Sequence, residues 1–209
     1  PNGTVVPFAQ LTTARLQVIH NAADPAAASV DVYLNGEILL NNFAFRTATA
    51  FIDAPANQVI NVGVAGGTSA SAADTLKNFQ LKLLPGGTYV AIANGVLNPA
   101  SFASNPNGRA TAFTLFINAL ARETAESATS NVDFYILHGS TDAPAVDIAA
   151  RGVTTLVTGA AYGDQTSYIS VPAANYTLDI FPAGSSTPLI AYNAPLSGLA
   201  GGAAVVFAS

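Results

Sequence analysis

An internal repeat is the feature that most constrains how this chain of 209 residues folds. The segments Val18–Pro25 and Ile136–Pro144 share one pattern: an apolar pair, a histidine, three residues, an aspartate and a nearby proline. The histidines of the two segments, His20 and His138, are the only two in the chain. Further matching segments follow at offsets of 116 to 118 residues. The repeat therefore predicts two homologous domains of ordinary size, which we call the first and the second copy.

Short β-type runs separated by turn residues cover most of the sequence, and no long window keeps a helical period. The pair Asn35-Gly36 stands between two apolar runs and predicts a tight hairpin. The segment Ala121–Ser130 is the best candidate for a short helix or a linker. We predict an all-β fold of two tandem Ig-like or transthyretin-like β-sandwich domains. The predicted parts are an N-terminal arm at 1–13, the first copy at 14–122 and the second copy at 123–209. The strand candidates are Leu16–His20, Val30–Leu34, Ala48–Ile52, Val59–Val64, Phe79–Leu83, Thr88–Ala93 and Thr111–Ile117.

Composition excludes several classes of protein. Only 9% of residues are charged, the net charge is −5, and the 7 Lys and Arg residues are scattered, which argues against a nucleic-acid-binding protein. No apolar run reaches the roughly 18 residues of a membrane span. The chain has no Cys, so it has no disulfide, no thiolate metal site and no thiol catalysis. The start at Pro1 fits removal of a signal peptide, and we expect an extracellular or cell-surface location.

The order of these motifs resembles a known family. The first copy carries Ser29-Val30-Asp31-Val32 and the run Leu84–Tyr89 with its Pro-Gly-Gly-Thr-Tyr, and the second carries Ala145-Val146-Asp147-Ile148. This combination is similar to the family of domain of unknown function 4397. The resemblance implies an exported protein with tandem β-sandwich domains and implies no particular chemistry. The second copy departs from the pattern at Gly201–Val206, which lacks an aromatic equivalent to Tyr89.

Each copy holds one histidine and two aspartates that are candidate metal ligands, because imidazole and carboxylate groups bind divalent cations. The alternative is structural: an aspartate near a proline accepts backbone N–H groups in a turn, and a histidine ties a loop to a sheet. The set is small for a calcium site, so we predict no metal and no cofactor. No G-x-S-x-G, H-E-x-x-H or phosphate-loop motif is present, and we predict no enzyme activity. The candidates are His20, Asp24, Asp31, His138, Asp142 and Asp147.

Two triplets match the acceptor pattern for N-glycosylation. They begin at Asn2 and at Asn175, and each has Thr at its third position. Such triplets also arise by chance, so they are candidates only for a chain exported by an organism that glycosylates its proteins.

Two apolar strands stand outside the repeat. Thr111–Ile117 follows the first copy and precedes the second, and Thr4–Leu11 stands before the first copy. We expect Thr111–Ile117 to complete the first copy, which leaves the second copy without such a strand after Ser209. The arm is then a spare strand for the second copy of a neighbouring molecule, with Val5 or Val6, Phe8 and Leu11 as its buried side chains. The alternatives are an edge strand within its own first copy, a free terminus, or a native chain that continues past Ser209.

This organisation leaves two functions open. The first is a structural subunit of an extracellular cell-surface filament, a homopolymer joined head to tail by the arm. The second is a monomeric cell-surface adhesion module that binds glycan or protein. A secreted hydrolase is a third and weaker hypothesis, because no catalytic motif supports it.

Overall fold

The protein is described by a computed structural model over residues 11–126 and 128–209. This part of the chain forms sixteen strands and three single-turn 3-10 helices. The all-β prediction is therefore confirmed. None of the helices in these two ranges is long and apolar enough to cross a membrane.

The first copy builds two sheets from nine strands. Its inner sheet has the order β4-β1-β8-β9, with β5 also paired to β1, and its outer sheet has the order β3-β2-β6-β7. The strands are β1 (Thr13–His20), β2 (Ser29–Leu34), β3 (Glu37–Ala44), β4 (Thr47–Ala48), β5 (Ile52–Pro55), β6 (Val59–Gly66), β7 (Thr75–Lys82), β8 (Thr88–Asn94) and β9 (Thr114–Asn118).

The second copy repeats this plan with seven strands. Its inner sheet has the order β13-β10-β16, and its outer sheet has the order β12-β11-β14-β15. The pairing of β10 with β16 is parallel, as is the pairing of β1 with β8. The strands are β10 (Asn131–Leu137), β11 (Val146–Ala150), β12 (Thr154–Ala160), β13 (Ile169–Pro172), β14 (Asn175–Pro182), β15 (Ile190–Pro195) and β16 (Ala203–Phe207).

The inner sheets are apolar on both faces, and the outer sheets on one. β7 alternates half-buried and exposed side chains along its whole length, as expected for a strand with one wet face. In β8 every residue after Thr88 is buried, because Tyr89 and Ala91 face the core of the first copy while Val90 and Ile92 face the second copy. The continuous apolar run of β8 in the sequence therefore corresponds to burial on both of its faces.

The two inner sheets pack against each other and form what we call the joint. Its buried side chains are Ile19, Val90, Ile92, Tyr135 and Leu137, with Ala121 at the edge. Hydrogen bonds close one end of the joint. The Nδ2 atoms of Asn21 and Asn94 donate to the carbonyl oxygens of Ala208 and Gly139, at 3.0 and 3.1 Å. The joint fixes the second copy against the first.

Three local predictions have clear outcomes. Asn35 and Gly36 have positive φ angles and connect β2 to β3 as a tight hairpin, which confirms that prediction. The predicted strand Ala48–Ile52 is split into β4 and β5. Within 121–126 and 128–130 no helix forms. The segment is a linker with one bridge, Thr124 to Gly202, so of the two predicted alternatives, a short helix or a linker, the structure shows the linker.

Candidate functional site

The equivalent aspartates Asp31 and Asp147 are bound to backbone N–H groups. The Asp31 carboxylate accepts from the N–H of Asn42 at 2.8 Å and from the N–H and hydroxyl of Ser69 at 3.2 and 2.5 Å. Burial raises the pKa of Asp31, but these three hydrogen bonds outweigh it and lower the pKa below its ordinary value. The N–H groups of Gly184 and Gly159 lower the pKa of Asp147 in the same way. Both aspartates fasten loops to the outer sheets.

The side chains of His20 and Asp24 also form hydrogen bonds with backbone groups. The His20 ring is fully buried, with Nε2 2.7 Å from the carbonyl oxygen of Ala27 and Nδ1 accepting the N–H of Ala22 at 3.3 Å. The carboxylate of Asp24 caps a 3-10 helix through the N–H of Ala26 and accepts the N–H of Leu97 at 2.8 Å. These hydrogen bonds engage the same ring nitrogens and carboxylate oxygens that would coordinate a metal ion.

The second copy repeats the histidine contact loosely. His138 Nε2 lies 3.1 Å from the carbonyl oxygen of Pro144, and Asp142 accepts the hydroxyl of Ser140 at 3.0 Å. Among the described residues, no three His, Asp or Glu side chains are placed to hold a metal ion. The geometry of both constellations is that of loop anchors.

Acid is expected to weaken the fold through His20. Burial lowers the pKa of this ring, so below the ordinary value of about 6.5 the unfolded chain binds a proton that the folded chain does not. Stability should therefore fall as the pH drops below about 6.5, by at most about 1.4 kcal/mol per pH unit. Thermal unfolding between pH 7.5 and 5 measures this slope. His20→Gln should be less stable at pH 7.5 but show a flatter slope, and equal slopes would contradict the assignment.

The outer edge of β16 is the site that distinguishes the two copies. In the first copy β9 covers the outer edge of β8 with an antiparallel ladder, which confirms the expectation that this strand completes the first copy. In the second copy no strand of the described ranges pairs with that side of β16. All five residues of β16 are only half-buried, whereas β8 is buried from Tyr89 to Asn94. We call this side of β16 the open edge.

Backbone groups of the open edge point away from β10. The N–H of Asp133 bonds to the carbonyl of Gly202, and the N–H of Ala208 bonds to the carbonyl of Leu137. Because parallel ladders use alternate residues of a strand, Val205 and Phe207 direct their N–H and C=O groups outward. Unpaired edge groups beside an apolar face are the template to which another strand adds.

One wall of the open edge comes from the first copy. The guanidinium of Arg46 stacks 5.0 Å from the centre of the Phe45 ring, and its Nε and Nη2 lie 3.3 and 3.2 Å from the hydroxyl of Ser209. Phe51 packs against the joint, as do Val205 and Phe207. The residues of this wall match no motif, so they could not be identified from sequence spacing.

The predicted arm residues are only partly within the structure. Asn2, Val5, Val6 and Phe8 lie outside the described residues. Leu11 is 64% exposed, and the chain is then fixed where the carbonyls of Thr12 and Thr13 accept the N–H groups of Ala56 and Gly86.

The second predicted glycosylation residue, Asn175, is exposed at the start of β14. Its Oδ1 accepts the N–H of Ser197 at 3.3 Å. The side chain is therefore at the surface, and its modification stays a prediction.

The residues of the joint were not identified from the sequence. Asn21 and Gly139 occupy equivalent places directly after the two histidines, and this difference between the copies was the available signal. A Cβ atom on Gly139 would lie 2.4 Å from the carbonyl oxygen of Ala208 and 2.5 Å from Nδ2 of Asn21. Glycine is needed here because the two copies approach each other so closely.

Comparison with known proteins identifies one family. A family model described as domain of unknown function (DUF4397) matches residues 14–116 and 132–201, one segment in each copy. No curated protein matches the chain.

Proposed function

The chain belongs to the DUF4397 family, with one domain in each copy. We propose that it is the structural subunit of an extracellular cell-surface filament. Subunits join head to tail when the N-terminal arm of one molecule adds to the open edge of the second copy of the next. The partner is another copy of the same chain, and the role needs no cofactor and no catalysis.

The observation that carries the proposal is the difference between β8 and β16. β9 supplies Leu115 and Ile117 to the core of the first copy and Phe116 to the joint. In the described residues no such strand pairs with the open edge, although Val205 and Phe207 of β16 are apolar. A strand added there would pair the outward backbone groups and bury the half-exposed face.

The contact between arm and open edge is heterologous, because the two surfaces are different parts of the molecule. Such a contact repeats along a line unless its rotation happens to close a ring, and an open filament is the common result. The few charged side chains also suit subunits that cover much of their surface with copies of themselves.

The second candidate, a monomeric adhesion or glycan- and protein-binding module, rests on a different surface. Ile190 and Tyr192 lie in β15 at the edge of the outer sheet and Leu189 directly precedes it; Leu189, Ile190 and Tyr192 are 70%, 46% and 58% exposed. An exposed apolar edge of this kind is typical of protein-binding sites. This candidate does not require the open edge.

A synthetic peptide of residues 1–11 tests the filament directly. Added to subunits before assembly, the peptide should occupy the open edge and shorten the filaments seen by electron microscopy. By mass action, roughly tenfold excess over its Kd should cap about nine tenths of the subunits. The same peptide with Phe8→Asp is the control and should have little effect. Subunits that stay monomeric at every concentration without peptide would favour the adhesion module.

A further inference from the structure

We infer that the arm enters the open edge antiparallel to β16 in one register, with Phe8 opposite Phe207 and Ala9 opposite Val206, so that Pro7, Ala9 and Leu11 face the core of the second copy. This inference rests on the proposed filament and specifies which arm residue occupies each position.

Pro7 decides which face of the arm turns inward. A residue added opposite Val205 or Phe207 must donate its N–H to the outward carbonyl, and proline has no N–H. Pro7 therefore lies opposite an even-numbered residue of this segment, such as Val206 or Ala208. The side chains of Ala204 and Val206 face the core of the second copy. Because side chains alternate along a strand, residues 5, 7, 9 and 11 face that core and residues 6, 8 and 10 face the opposite way.

This assignment divides the arm residues predicted from the sequence. Leu11, together with Val5, enters the core of the second copy. Phe8, together with Val6, faces the first copy instead. The sequence pattern predicted one buried face with Val5 or Val6, Phe8 and Leu11. In the proposed register both faces of the arm are buried.

β9 selects the register, because it occupies the equivalent position in the first copy. Phe116 lies opposite Ile92, and Ile92 has the place in β8 that Phe207 has in β16. The sequence around Phe116, Leu-Phe-Ile-Asn, aligns with Pro-Phe-Ala-Gln around Phe8. This alignment places Phe8 opposite Phe207.

The first copy carries an aromatic side chain that Phe8 would contact. The ring of Phe116 meets Tyr162 edge to face, with 5.8 Å between centroids, and lies over Gly163. The N–H of Gly163 donates to the carbonyl oxygen of His138, just as the N–H of Arg46 donates to the carbonyl oxygen of His20. The residues directly before them, Tyr162 and Phe45, therefore occupy equivalent places. Phe45 thus offers Phe8 the contact that Tyr162 offers Phe116, with the guanidinium of Arg46 alongside.

Side-chain sizes agree with this register. In the first copy a small Ala91 lies opposite a large Ile117, and in the second copy a larger Val206 would meet a small Ala9. The next position toward the start of the strand is reversed as well. In the first copy the large Tyr89 lies opposite the small Ala119 in this register. In the second copy the small Ala204 would lie opposite the large Leu11. In both copies a large residue on one strand is matched by a small one on the other, as close packing requires.

Engineered cysteines test the register, since the chain has no Cys of its own. The pair Ala9→Cys and Val206→Cys joins residues that face each other without hydrogen bonds, where Cα atoms are about 4.5 Å apart and a disulfide fits. Oxidised filaments should then give a ladder of covalent multimers on a non-reducing gel. The matched controls combine Val206→Cys with Pro7→Cys or Leu11→Cys, and should give roughly tenfold less multimer.

Each outcome separates the register from the filament. A ladder with Leu11→Cys or Pro7→Cys instead of Ala9→Cys would overturn the register and leave the filament standing. A disulfide closed within single chains, or intact filaments without any ladder, would overturn the register and also the insertion of the arm into the open edge of a neighbouring subunit. A size exchange gives a second measurement: Ala204→Leu should reduce assembly about tenfold, and Leu11→Ala in the same chain should restore most of it. Failure of that rescue in filament-forming protein would also contradict the register.

Discussion

A variant without residues 1–11 is expected to remain folded and to form no filaments. The deletion ends before Thr12 and Thr13, whose carbonyls accept the N–H groups of Ala56 and Gly86, so the first copy keeps the contacts that begin β1. The open edge, in contrast, loses its only proposed partner. Size-exclusion chromatography with light scattering should show monomers, and circular dichroism should show an unchanged β spectrum.

The expected effect is large because the contact is hydrophobic. Four apolar arm side chains would contribute about 6–12 kcal/mol on burial. Ordering the arm costs about 1–2 kcal/mol per residue, so the remaining affinity depends on the ladder hydrogen bonds and on close packing in the open edge. A chain in which residues 1–11 are replaced by a Gly-Ser segment of equal length is the matched control. Normal filaments from either variant would contradict the proposed function.

Returning the strand within the same chain gives the converse result. In the deletion variant, a copy of Thr4–Leu11 placed after Ser209 through a linker of about four residues can turn back as a hairpin and run antiparallel to β16. The chain should then be monomeric and more heat-stable than the deletion variant alone. A self-complemented chain that is no more stable would show that the open edge does not accept this strand.

The second large effect is expected at the joint. Gly139→Val should destabilise the protein by about 3 kcal/mol, because the new side chain overlaps the carbonyl of Ala208 and the amide of Asn21 and the tightly packed copies must separate to admit it. For a chain of this size, that loss corresponds to a fall in Tm of roughly 6–12 °C.

Differential scanning calorimetry measures the change, and the chain supplies a close control. A Cβ atom on Gly198 meets no atom within 4 Å, and the φ angle of this glycine is not in the left-handed region. Gly198→Ala should therefore leave Tm within about 2 °C of the wild type. Equal losses in both variants would mean that the close approach at Gly139 is not important for stability.

The repeat made the main features of the fold predictable from the sequence. Two histidines in equivalent places indicated two copies, and the apolar strand between the copies indicated how the first copy is completed. The hairpin at Asn35-Gly36 followed from local chemistry, because both residues tolerate positive φ. These features depend on local pattern or on comparison of one copy with the other.

The remaining features depend on long-range contacts that no local pattern encodes. The spacing of His20 and Asp31 favours a loop anchor over a metal site, but it does not identify Ala27 and Ser69 as the groups that these side chains bind. Likewise, the chain between β4 and β5 places Phe51 against the joint, which a single strand pattern does not reveal. The wall at Phe45 was missed for the same reason.

Electron cryomicroscopy of the native assembly tests the filament most directly. We expect each subunit to show an extra strand beside Val205 and Phe207 that runs antiparallel to β16 and continues into Thr12 of a neighbouring subunit. A strand there that traces back to Thr12 of the same molecule, or material that contains only single molecules, would contradict assembly through the arm.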